Sequence, residues 1–199
     1  MYNFYKIMES RRSIRVLANE EIITNERLEE IIANAVKFTP TAFNAQEQRV
    51  VLLLEDRHSW FWNLLKEKLK TRLPAESFSA TEGKLNGLMG GVGTVLIYQD
   101  IAVINGLQEK FPTYKDNFPL WAQQSSGMLK YTIWTSLDAE GYGASLQHYT
   151  ELIEESVSDK LGINKEWKMV GQIPFGKRLQ APDTNKTFEP IVDRMLVFK

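Results

Sequence analysis

Gly90-Gly91-Val92-Gly93-Thr94-Val95-Leu96-Ile97-Tyr98, closed by Asp100, is the stretch that decides the fold. The apolar run is short, β-branched and aromatic, with glycines before it and an acid after it, and this reads as a strand covered on both faces. A strand covered on both sides requires helices above and below, and the chain supplies them. Residues 3–10 carry Phe4, Ile7 and Met8 on one helical face. A second helix runs from Thr24, a plausible N-cap, through Leu28, Ile31, Ile32, Ala35 and Val36 to Phe38. Pro40 stops it. Trp60, Phe61, Leu64, Leu65 and Leu69 mark a helix ending near Leu73-Pro74; residues 101–110, 118–140 (with Gly141 as C-cap) and 150–161 mark three more. Val50 to Leu54 and Val170 to Ile173 read as further strands, the first buried on both faces, and Met195 to Phe198 as a strand or an arm. Gly83, Gly87, Gly90, Gly91 and Gly93 read as close packing or tight turns after the third helix. The expectation is a layered α/β or α+β fold in one domain, residues 1–199.

Composition narrows the function. The 199 residues hold 24 Lys+Arg against 25 Asp+Glu, so an overall basic nucleic-acid binder is disfavoured. There is no cysteine, which removes disulfides, thiolate nucleophiles, Fe–S clusters and cysteine zinc sites. Any redox chemistry must come from a bound cofactor. The start, MYNFYKIMESRRS, lacks an uninterrupted apolar region, and nowhere do about 18 apolar residues run together, so no membrane role and a cytoplasmic location are expected.

The common catalytic devices fail on inspection. His58 and His148 are the only histidines, neither sits in an acid cluster with metal-ligand spacing, and His58, in Asp56-Arg57-His58-Ser59, reads as a solvated surface residue. Gly143-Ala144-Ser145-Leu146-Gln147 lacks the last glycine of a nucleophile elbow. Gly83-Lys84-Leu85 and Gly176-Lys177-Arg178 lack the hydroxyl of a phosphate loop, and Gly90-Gly91-Val92-Gly93 precedes its strand instead of following it. What survives is an anion site. Arg11, Arg12, Ser13 and Arg15 put three permanent cations and a hydroxyl into five residues, a donor set suited to phosphate. The bland reading is a solvated turn, or ion pairs with Glu20 and Glu21.

Five strings then occur in a telling order: Glu9-Ser10-Arg11-Arg12-Ser13-Ile14-Arg15; Pro40-Thr41-Ala42-Phe43-Asn44-Ala45-Gln46; Gly93-Thr94-Val95-Leu96; Gly141-Tyr142-Gly143-Ala144-Ser145-Leu146-Gln147-His148-Tyr149; and Gly171-Gln172-Ile173-Pro174-Phe175-Gly176. Together they resemble the FMN-dependent nitroreductases, and specifically the compact bacterial and fungal branch, in which Ala-Ser-Leu-Gln-His-Tyr stands where the larger enzymes carry Glu-Gly. The resemblance implies a three-layer α+β fold with a central, mainly antiparallel sheet flanked by helices. It also implies an intertwined homodimer with two FMN molecules at the interface. Carried residue by residue, it assigns Arg11, Arg12 and Ser13 to the FMN phosphate and ribityl chain and Arg15 to the pyrimidine edge. Lys177 and Arg178 would close on the phosphate. Thr41, Ala42, Phe43, Asn44 and Gln46 would reach the ring from the partner subunit, and Ala144, Ser145, Leu146 and Gln147 would lie along the isoalloxazine.

The implied activity takes hydride from NAD(P)H and reduces nitroaromatics, quinones or similar small oxidants by a ping-pong cycle. No catalytic side chain is then required, because a flavin carries its own chemistry and the protein supplies position and electrostatics. Phe43, Tyr98, Phe111, Tyr114, Phe118, Trp121, Tyr131 and Trp134 are candidate pocket walls, most of them better read as core or dimer contacts. Ser125, Ser126 and Gly127 read as tight helix packing, or as the dimer seam. Two other classes compete: a flavin-binding redox sensor with little turnover, and a binder of phosphate-bearing ligands or RNA.

Overall fold

The computed structural model describes residues 4–182 and 185–199. The helices are α1 (Phe4–Ser10), α2 (Asn25–Phe38), α3 (Glu55–Lys70), α4 (Ala75–Met89), α5 (Ile101–Lys110), α6 (Asn117–Ala139) and α7 (Thr150–Leu161). The strands are β1 (Leu17–Ala18), β2 (Gln48–Leu54), β3 (Gly93–Asp100), β4 (Gly143–Ala144) and β5 (Trp167–Arg178). The sheet runs β1-β5-β3-β2 with β4 also on β5, and all of these ladders are antiparallel. Residue 3, expected to open the first helix, lies outside the described residues.

Every residue of β3 is buried, and the alternation of its side chains builds the layers. Val95 and Ile97, with Ile173 and Phe175 of β5, face Leu28, Ile31 and Ile32 of α2 and Leu129, Ile133 and Leu137 of α6. Leu96 and Tyr98, with Met169, face Phe61, Trp62 and Leu65 of α3, Leu85 and Leu88 of α4, and Ile153 and Val157 of α7. Each such side chain contributes about 1.5–3 kcal/mol when fully buried, so the two half-cores clamp the sheet from both sides. Thr24 does cap α2, its hydroxyl accepting from the amide of Arg27 at 3.3 Å, and Asp100 caps α5 by accepting from Ala102 at 3.1 Å.

Three expectations need correction. β2 is the edge of this sheet; only Gln48 and Leu53 are buried in it, so it is not covered on both faces. The glycine-rich stretch after α3 is mostly helical in place of the expected turns, with Gly83 and Gly87 inside α4, while close packing does hold at Gly87, Gly90, Gly91 and Gly93. Tertiary packing overrides the low helix propensity of glycine there. His58 is buried, not solvated. Its Nε2 meets the Met89 carbonyl at 3.0 Å and its Nδ1 the Thr94 hydroxyl at 2.8 Å, while Trp62 donates its indole N–H to the same hydroxyl at 2.9 Å. A carbonyl can only accept, so Nε2 carries the proton and Thr94 donates to Nδ1. Burial pulls the His58 pKa down to about 4.

Candidate functional site

The five residues Arg11 to Arg15 leave α1 and run along the end of the sheet. Ser13 bridges Ala144, and the Ile14 amide donates to the Ala144 carbonyl at 2.9 Å. Beyond them, Leu17 pairs with Arg178 and Ala18 with Lys177. Glycines make this closeness feasible. A Cβ on Gly87 would lie 2.5 Å from the Arg15 carbonyl oxygen, and one on Gly90 would lie 2.6 Å from that of Leu17. The sequence-marked strings around Arg11, Ala144 and Lys177 therefore converge on one edge.

The five cations at this edge differ in their company. Lys177 sits 2.7 Å from both carboxylate oxygens of Glu20, an exposed pair, and Arg178 sits 2.7 Å from Asp138 while donating to the Tyr142 carbonyl at 2.9 Å. Arg11, Arg12 and Arg15 have no carboxylate within ion-pair distance among the described residues. Arg11 stacks its guanidinium over Trp134, 4.2 Å from the ring centroid, and its buried Nε has no hydrogen-bond partner. Arg12 donates to the carbonyls of Glu9 and Arg11. Ser13 and Arg15 are exposed. An orphaned buried guanidinium nitrogen beside two more arginines that lack a carboxylate partner among the described residues, and an exposed serine, fits the donor set that a phosphate monoester requires.

Ala144 to Gln147 runs inward from the strip along β5, with Ala144, Ser145 and Gln147 buried. Trp134 donates its indole N–H to the Ala144 carbonyl at 3.2 Å, and Gln147 and Gln172 exchange backbone hydrogen bonds at 2.8 and 3.0 Å. Ser145 is fully buried and its hydroxyl accepts from the Gln147 side chain at 3.1 Å, a packing role and not a nucleophile's. Leu146 is half-buried.

The loop from Thr41 to Gln46 is tightly specified. Phe43, Asn44 and Gln46 all take left-handed backbone angles, φ 57°, 52° and 51°, which non-glycine residues adopt at a cost. The Thr41 hydroxyl braces the turn by accepting from the Gln46 amide at 3.0 Å. This conformation drives the half-exposed Phe43 into a ring cluster, stacked on Trp121 at 5.9 Å and tilted against Phe111 at 5.0 Å. A cavity of about 470 Å³ lies against the loop, floored by Trp121, Ser125 and Met128 of α6.

Within one chain this loop and the arginine strip do not meet. The loop packs on Trp121 near the start of α6, whereas Ser10 hydrogen-bonds Asp138 at its far end, at 2.7 Å, and Arg11 covers Trp134. At 1.5 Å per residue, Trp121 and Trp134 lie about 20 Å apart along the axis. Ser125 and Ser126 face inward, Ser126 donating to Gln48 at 2.9 Å, while Gly127 meets nothing within 4 Å.

Sequence reasoning passed over Asp138, Tyr142 and Lys130. Asp138 and Tyr142 hold Arg178 by contacts 40 and 36 residues apart, which no local pattern announces. Lys130 is half-buried on α6; burial lowers its pKa, and burial followed by the Lys130 charge lowers that of His148. Among the described residues no helix is long and apolar enough to cross a membrane.

Comparison with known proteins supports the same reading. Nitroreductase FRM2 of Saccharomyces cerevisiae is 28% identical over 188 residues, covering 94% of this chain and 93% of its own. The nitroreductase CinD from Lactococcus lactis, solved in complex with 4-nitrophenol, is 39% identical with a TM-score of 0.88 over 99% of this chain and 100% of that one. A nitroreductase with bound FMN from Desulfitobacterium hafniense, 18% identical, shares the fold at a TM-score of 0.71 over 100% of each chain. The nitroreductase family model matches residues 8–177. With the three-layer antiparallel architecture also in place, the chain belongs to the nitroreductase family, whose members are oxidoreductases.

Proposed function

We propose that this protein is an FMN-dependent oxidoreductase that takes hydride from NAD(P)H and reduces nitroaromatics, quinones or related small oxidants by a ping-pong mechanism. The observation that carries the reading is the arginine strip: Arg11, Arg12 and Arg15 without acid partners among the described residues, with the Arg11 Nε buried and orphaned there, on the rim of the Ala144–Gln147 wall. Arg11, Arg12 and Ser13 would hold the phosphate, with Lys177 and Arg178 behind them. Lys177 can exchange its exposed Glu20 partner for a phosphate at little cost. Arg178, held by Asp138 and Tyr142, would serve by keeping β1 and β5 in place. Arg15 would face the end of the ring where negative charge gathers on reduction, and Ala144, Ser145, Leu146 and Gln147 would line its length. Bound FMN supplies the hydride and electron transfer.

The loop residues Thr41, Ala42, Phe43, Asn44 and Gln46 would come from a second copy. Their separation from the strip by about 20 Å of α6 supports a homodimer in which each site draws on both chains. Exposed apolar side chains support it further. Leu120, Met128 and Tyr131 form a stripe on α6, and Phe188, Ile191, Val192, Leu196 and Phe198 stand bare along the C-terminal segment.

A visible spectrum of the purified protein, followed by anaerobic titration with NADPH, tests the proposal. It predicts yellow protein, bleached by NADPH and restored over many cycles by a nitro compound or a quinone. Protein that stays colourless after incubation with excess FMN overturns it.

A further inference from the structure

Resting on the reading just given, we propose that Lys130 makes the site select aromatic substrates that carry a negative charge, such as a carboxylate or a phenolate. Lys130 stands one helical turn before Trp134, on the same face of α6. Its stem crosses the bare backbone of Gly171. A Cβ there would lie 3.1 Å from the Lys130 Cε and 3.2 Å from the Leu146 Cδ1, so the bare backbone at 171 leaves room for the lysine stem on the side where Leu146 also packs. The ammonium is one bond farther on. No described carboxylate lies within ion-pair distance of it, and no described residue accepts a hydrogen bond from it.

A half-buried ammonium without a counter-ion is expensive to keep charged, which is the sense in which burial shifts Lys130; its three donors can be satisfied by a ligand that brings the missing charge. The other cations are committed. Arg178 is held by Asp138, Lys177 by Glu20, and Arg11, Arg12 and Arg15 by the proposed cofactor. The Ser13–Ala144 bridge marks the phosphate end of the wall, and Leu146 lies two residues along it, about 7 Å away in an extended segment. Lys130 therefore flanks the end of the wall remote from the phosphate, where a flat oxidant would stack. His148 stands close enough for the Lys130 charge to depress its basicity, and no described carboxylate pairs with Lys130 at that corner. A neutral aromatic gains stacking there. An anionic one gains in addition a charge-assisted hydrogen bond, expected to tighten binding roughly tenfold.

The test uses FMN-loaded protein without reductant, titrated with 4-nitrobenzoate and with 4-nitrobenzamide, which are near-isosteric and differ in charge, while the flavin absorbance is followed. The expected result is roughly tenfold tighter binding of the benzoate. Lys130→Met should abolish that preference and leave the benzamide affinity within about twofold, and Lys130→Arg should keep most of the preference. Equal affinities in the parent protein, a preference that survives Lys130→Met, or equal weakening of both ligands in that variant would overturn the assignment. FMN affinity and thermal melting of each variant separate these outcomes from misfolding. A parent protein that binds no FMN would instead bring down the proposed function, and this inference with it.

Discussion

The guanidinium of Arg11 lies 4.2 Å above the indole of Trp134, and the N–H of that same indole is given to the carbonyl of Ala144 at 3.2 Å. Trp134 thus links Arg11 to the same carbonyl that accepts from the Ile14 amide, a second tie between the arginine strip and the Ala144 segment. A cation over an indole is worth about 0.5–2 kcal/mol, more as the site dries. Trp134→Ala should weaken FMN binding roughly tenfold by flavin-fluorescence titration, whereas Trp134→Phe, which keeps a ring and loses the donor, should fall between.

Arg15→Ala should make bound FMN harder to reduce. Removing a permanent cation from the end where negative charge collects lowers the two-electron midpoint by about 30 mV for each 1.4 kcal/mol lost. A xanthine oxidase/dye equilibration measures it. An unchanged or raised midpoint would place Arg15 away from the ring.

Two glycines of one helix should respond in opposite directions. Gly83 meets nothing within 4 Å, so Gly83→Ala should stabilise the protein by up to about 1 kcal/mol through helix propensity. A Cβ on Gly87 would sit 2.5 Å from the Arg15 carbonyl oxygen, so Gly87→Ala should destabilise by about 1–3 kcal/mol and loosen FMN binding as the strip is pushed outward. Urea unfolding of the pair, with flavin titration, reads both effects.

His58 should give the protein an acid-sensitive core. Its folded-state pKa of about 4 lies below the ordinary 6.5, so the unfolded chain takes up the proton first as pH falls. Stability from this group is fully present above about pH 6.5, declines between 6.5 and 4, and levels off below. A gap of about 2.5 units at 1.36 kcal/mol each corresponds to a loss of about 3 kcal/mol. Urea midpoints across that range should slope for the parent and flatten in His58→Gln; equal slopes would contradict the assignment.

Leu120→Glu together with Met128→Glu should shift sedimentation toward the monomer and lower FMN affinity, because both residues stand on the exposed α6 stripe. A monomeric parent protein would contradict the two-chain site.

Much of this architecture was legible before any coordinates. Thr24, Pro40, Asp100 and Gly141 mark element ends by local chemistry, and the apolar run from Val95 to Tyr98 declares a covered strand whatever its neighbours are. The Arg11–Arg15 cluster suggests an anion site by its charge density but leaves a solvated turn or ion pairs with Glu20 and Glu21 open; among the described residues Glu20 pairs with Lys177 instead. What stayed hidden depends on distant contacts. His58 looks like a surface residue in its own segment, and only Thr94 and Met89, more than 30 residues on, give it a buried place. Gly87 and Gly90 read as close packing or turns without a partner in view, because what they admit, the carbonyls of Arg15 and Leu17, comes from another part of the chain. Lys130 carries no motif, and its lack of a carboxylate partner among the described residues becomes apparent only once those acids have been located.

In the proposed two-chain site, α6 holds the loop at Phe43 and the strip at Arg11 so far apart that each polypeptide would own two incomplete halves and no whole. Damage to either half would then be complementable. Chains ruined at Arg12 and chains ruined at Phe43, each inert in pure form, would on mixing and subunit exchange assemble hybrids in which one of the two centres is made entirely from undamaged parts.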